Sequence, residues 1–169
     1  MMTTMRFRID LGEASVQDSS LVYRPHEYSF DTVSSQRGGV TSVLLNDLNL
    51  EMDNSNRVIA IWGMCPHTRW VERALVPPMA QSGSLIVSSE EPFLPGVSVR
   101  MNGEKRFPVY VDRKVGWIQV KGTLRPSVAV MLLPGVIFEM TECGQFCSLW
   151  LMPKLDDVRQ RKRAPSGPV

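Results

Sequence analysis

The chain has 169 residues, 43% of them hydrophobic and 21% charged, with 19 basic residues against 17 acidic ones. A chain of this length and apolar content can bury one core without staples, which excludes wholesale disorder and a disulfide-dependent miniature fold. A net charge of +2 lacks the basic excess a nucleic-acid binder carries, three cysteines are too few and too odd for a secreted disulfide framework, and no apolar run is long enough for a membrane span.

Residues 5–11 alternate Phe7, Ile9 and Leu11 against Arg6, Arg8 and Asp10, the period of a half-buried strand. That charged start also lacks the apolar core of a signal peptide. Residues 21–30 are less regular, and Pro25 marks an edge or a break. Gly38 and Gly39 close a loop over 34–39. Residues 40–52 carry two periods. Val43, Leu44, Leu45, Leu48 and Leu50 would make a helical stripe, whereas Leu48, Leu50 and Met52 alternate as a strand would. Asp53-Asn54-Ser55-Asn56 supplies turn chemistry, so 43–52 and 57–64 are predicted to form a hairpin.

Residues 68–76 admit a short helix with Trp70, Val71, Ala74 and Leu75 on one face, or a strand; Pro77-Pro78 ends either. Strands are expected at 83–88 and 97–101. Asn102-Gly103 favours a type I′ turn, which predicts a hairpin between 97–101 and 104–111. A turn at 112–116 leads into a strand at 117–120. Further strands at 128–133, 136–142 and 146–152 are separated by turns at Pro134-Gly135 and Gly144. A short helix is expected at 155–163, then a loose tail over 164–169. The reading is one mainly β domain over 1–153, an antiparallel sandwich or barrel with one or two short helices, followed by the C-terminal segment 154–169.

Five places in the chain carry candidate chemistry. Cys65, His67, Cys143 and Cys147 have the ligand types for zinc, but their spacing does not match known zinc sites. Cys65 and His67 could pair as nucleophile and base, yet Pro66 lies between them and no motif surrounds them. The adjacent carboxylates Glu90-Glu91 and Asp156-Asp157 fit a solvated surface better than an acid/base pair. The basic run Arg159, Arg161, Lys162 and Arg163 fits a solvated terminus. Trp62, Trp70, Trp117 and Trp150, with ten methionines, could furnish core or adaptable binding surface. No catalytic residue, metal ligand or cofactor site is assigned, and no binding residue is singled out.

The segment Phe107-Pro-Val-Tyr-Val-Asp-Arg-Lys-Val-Gly-Trp-Ile-Gln-Val120 resembles the strand, Asp turn, Gly-Trp, strand hairpin of small β-rich bacterial proteins. Among these are immunity proteins of polymorphic toxin and contact-dependent inhibition systems. The resemblance covers fourteen residues of 169. It implies a non-enzymatic, cytoplasmic protein that neutralises a cognate toxin by direct contact, with no nucleic acid and no membrane among its partners. Many such proteins that block nucleases are acidic; this chain is not, which points away from a basic nuclease. Two other readings remain open from the sequence: a structural or assembly subunit of a phage or secretion apparatus, and a small β-barrel enzyme whose site is built from distant residues.

Overall fold

The computed structural model describes residues 4–12, 18–34, 38–101 and 105–156. In chain order the elements are β1 (Met5–Asp10), β2 (Ser20–Arg24), β3 (Ser29–Val33), β4 (Thr41–Leu45), β5 (Leu48–Met52), β6 (Val58–Met64) and a 3-10 turn, η1 (His67–Arg69). They continue with β7 (Val71–Glu72), β8 (Gln81–Ser82), β9 (Ser84–Ser89), β10 (Val99–Arg100), β11 (Val109–Asp112) and β12 (Trp117–Lys121). The last four are β13 (Val128–Leu133), β14 (Val136–Met140), β15 (Phe146–Leu151) and β16 (Lys154–Leu155). Two seven-stranded sheets pack together without closing a barrel, so the sandwich alternative holds. The first sheet runs β10-β4-β5-β6-β3-β2-β16, the second β7-β11-β12-β15-β14-β13-β8, and β1 with β9 forms a separate ribbon.

The period-two pattern explains the layers. Val43, Leu50, Ile61, Phe30 and Tyr23 of the first sheet point inward, as do Val111, Ile118, Val120, Leu149 and Phe138 of the second, and all join one core. Each fully buried aliphatic or aromatic side chain of this kind contributes roughly 1.5–3 kcal/mol relative to exposure. The ribbon is tied in by Phe7, whose N–H donates to Gly144 O (2.8 Å) and whose ring meets Phe138 at 4.8 Å.

All four edges of the large sheets end in a two-residue strand that pairs in parallel with its neighbour: β10 on β4, β16 on β2, β7 on β11 and β8 on β13. Short edge strands of this type offer little template for another chain. The link from β7 to β8 must reach from one edge of the second sheet to the other. Six strand spacings span about 29 Å, and the stretch from Glu72 to Gln81 reaches about 30 Å when extended. Residues 73–80 therefore lie across the outer face as a strap. Leu75 is buried on Ile137 and Trp150, and Ala80 packs in the same cluster as Ala129 and Met131. Pro77-Pro78 suits this span, since it keeps the chain extended and forgoes N–H donors that have no sheet partner.

Several sequence expectations are corrected. The segment 43–52 is not one strand. Asn46-Asp47 forms a tight turn, with Asn46 at φ 54°, and β4 pairs with β5 while β5 pairs with β6. The proposed hairpin between 97–101 and 104–111 does not form: β10 pairs in parallel with β4, and β11 pairs with β12 and β7. Asn102-Gly103 itself lies outside the described residues. The helix at 68–76 reduces to η1, because Val71–Glu72 finds a sheet partner in β11. Leu155, expected to start a helix, is paired with Tyr23, and 157–169 lie outside the described residues. Among the described residues no helix is long and apolar enough to cross a membrane.

Candidate binding face

The chain leaving β6 is fixed by one buried hydroxyl. Tyr23 on β2 donates to Cys65 O (2.8 Å), accepts from the His67 N–H (2.9 Å), and lies 3.3 Å from His67 Nδ1. Burial pushes this phenol up to about 12. The hydroxyl therefore stays protonated and acts as a backbone clamp. Tyr23 also meets Phe30 (4.8 Å) and Trp70 (4.9 Å), and Tyr28 stacks on His67 at 5.4 Å.

The second support is Asn46, whose side chain pairs with both backbone groups of Phe107: its Nδ2 donates to Phe107 O (3.0 Å) and its Oδ1 accepts from Phe107 N–H (2.9 Å). Arg100 Nη1 donates to Asn46 O (2.7 Å). Gly63 lets this turn sit flat on β6, because a Cβ there would come 2.3 Å from Asp47 O at a φ of 134°. Three segments distant in sequence are thus held side by side: the turn 46–47, the stretch 64–70 and the stretch 106–109.

Between them opens a pocket of about 150 Å³. Its walls are Met64, Cys65, Pro66, Trp70, Phe107, Pro108 and Val109, and its rim carries Asp47, Arg69 and Arg106. The Trp70 N–H is occupied by Cys65 Sγ (3.4 Å). Arg106 grips Asp47 with two bonds, 2.8 and 3.2 Å. This guanidinium holds the Asp47 carboxyl below the usual range, helped by Arg100 and Arg69. Three guanidiniums surround one carboxylate, so the rim is locally positive. Exposed apolar groups continue outward from it: Met64, Trp62 on the same face of β6, and Tyr28.

The chemistry of the sequence candidates follows from this placement. Burial pushes the Cys65 thiol up to about 11, and the Tyr23 phenol stands at His67 Nδ1, so the pair lacks the thiolate and the base contact a nucleophile needs. Cys147 is buried in β15, and its thiol is also raised by burial; Cys143 is exposed. Among the described residues no three His, Cys, Asp or Glu come together to hold a metal ion. Glu90 and Glu91 are exposed. Asp156 accepts from Arg24 Nε (3.3 Å), and Asp157 and the basic run lie outside the described residues. Trp150 is buried, donates to Glu139 and meets Trp117 edge-on at 6.3 Å. The rim arginines Arg69 and Arg106 carry no local sequence signal, because only the fold brings them together.

Compared with protein-family models and with curated proteins, the chain matches none.

Proposed function

We propose that this chain is a non-enzymatic binding protein of the cytoplasm, of the immunity type, that neutralises a toxin domain by docking it on the face around the 150 Å³ pocket. The observation that carries the reading is the composition of that face. Met64, Arg69 and Arg106 are exposed around the concavity, with exposed Trp62 two residues from Met64 on β6 and exposed Tyr28 stacked on His67, and Tyr, Trp, Met and Arg are the residues enriched where proteins bind one another. The short parallel edge strands favour docking by side chains over strand addition.

The test is co-expression with the product of a toxin gene neighbouring its own. The wild-type chain is expected to restore growth and to co-purify with the toxin. The double variant Trp62→Ala/Arg106→Glu, with an unchanged thermal melt, is expected to lose both. A wild-type chain that neither protects nor co-purifies would end this reading.

A further inference from the structure

We infer that the pocket takes a single aromatic side chain from a partner segment whose flanking residues are carboxylates. The inference rests on the docking reading above and names the chemistry of what docks. A concavity of about 150 Å³ is the size of an apolar cavity that admits one benzene ring. Its walls, Met64, Pro66, Trp70, Phe107 and Val109, offer carbon and sulfur, the Asn46 amide that also lines it is bonded to both backbone groups of Phe107, and the Trp70 N–H is already bonded to Cys65. A polar occupant would therefore lose its water and find no partner inside, which costs free energy. An aromatic ring loses nothing and gains edge and face contacts with Trp70 and Phe107.

The rim selects what flanks the ring. Arg106 spends its charge on Asp47, whereas Arg69 is exposed and has no ion pair among the described residues; its charge reaches Asp47 only through space. Arg100 is exposed too, and one of its guanidinium nitrogens is bound to the neutral Asn46 O. At the mouth itself Arg69 and Arg106 outnumber the single carboxylate of Asp47, and Arg100 adds positive charge behind the turn 46–47, so carboxylates flanking the inserted ring would meet Arg69 with charge-assisted bonds. A nucleic-acid strand fits less well. Bases stack on open aromatic platforms and present hydrogen-bonding edges, whereas this pocket encloses Trp70 and Phe107 among aliphatic and thioether walls and carries the Asp47 carboxylate on its rim.

The experiment titrates the full chain with acetyl-Gly-Asp-Glu-Phe-Asp-Glu-Gly-amide, following the Trp70 indole N–H by NMR and the heat by calorimetry. Saturation is expected at peptide concentrations up to about 1 mM, the affinity range of one anchored side chain. Replacing the Phe by Ala, or the four acids by Lys, is expected to weaken binding at least about tenfold, the loss of a contact worth more than 1 kcal/mol. Arg69→Glu is expected to do the same without moving the melting temperature. Equal binding of all three peptides, no binding of any, or an undiminished affinity in Arg69→Glu overturns the inference. So does oligothymidylate that shifts the Trp70 signal where the acidic peptide does not. Growth protection is read separately, so a chain that protects but ignores the peptide retains its docking role and loses only this occupant.

Discussion

Trp150 and Trp62 both point away from the core, one from each large sheet, and meet different surroundings. Trp150 is 5% exposed, because the strap 73–80 lays Leu75 over it and Glu139 accepts its N–H. Trp62 is 43% exposed, and Met64 beside it 53%. The same chain that spends eight residues covering the outer face of the second sheet leaves aromatic and thioether groups in water on the first. The strap leaves its own Val76 and Met79 in solvent, so exposure alone does not set Trp62 and Met64 apart; the docking reading proposed above rests on their lying on one face of β6, with Met64 in the wall of the arginine-rimmed pocket.

The comparison breaks if the two tryptophans prove equivalent in stability. Trp150→Ala removes a buried ring, leaves Glu139 without its donor, and opens a cavity beneath the strap; a loss of about 3–5 kcal/mol is expected in urea denaturation. Trp62→Ala is expected to stay within about 0.5 kcal/mol of wild type. A loss above about 2 kcal/mol at Trp62 would make it a structural residue and remove the central support for the docking face.

A smaller effect is expected at Asn46, which builds the pocket without lining the core. Asn46→Ala deletes both bonds to Phe107 and places a less tolerant residue at positive φ. A cost of about 1–2 kcal/mol is expected, with NMR shift changes at Phe107 and Trp70. Unchanged shifts at both would show that the pocket is held by something other than this clamp.

What the residues disclosed in advance follows the reach of each signal. The alternation of Phe7 and Ile9, the turns at Pro134-Gly135 and Gly144, and the return through Gly116 into Trp117 are local, and each stands where the pattern placed it. Local signals failed where a distant strand outbid them. Val99–Arg100 takes Val43 and Leu44 as partners, although Asn102-Gly103 favours folding back on 104–111. The leucines at 44, 45 and 48 blur into a helical stripe because the two-residue turn Asn46-Asp47 sits inside it; the signal was present in Asn-Asp between apolar runs. The pocket was illegible for a firmer reason. Its rim draws Asp47, Arg69 and Arg106 from three loops, and only the sandwich brings them within reach.

The smallest expected effect sharpens the account of the covered face. Glu139 is buried beside the Trp150 that the strap covers, and burial raises its carboxyl above the ordinary glutamate range, opposed in part by the Trp150 N–H. The folded chain therefore binds this proton more tightly than the unfolded chain. At pH values below the ordinary glutamate range both states are protonated and Glu139 costs nothing. As pH rises from there to the raised value, the unfolded state ionises first, and stability falls across that window before levelling off. Glu139→Gln keeps an oxygen to accept from Trp150 and removes the ionisation. It is expected to abolish that fall and to be the more stable form at neutral pH, while the two proteins converge in acid. Denaturation midpoints taken from about pH 3 to 8 measure this directly. Parallel profiles for the two proteins would mean that Glu139 reaches solvent and that the strap does not seal the second sheet as Leu75 and Trp150 require.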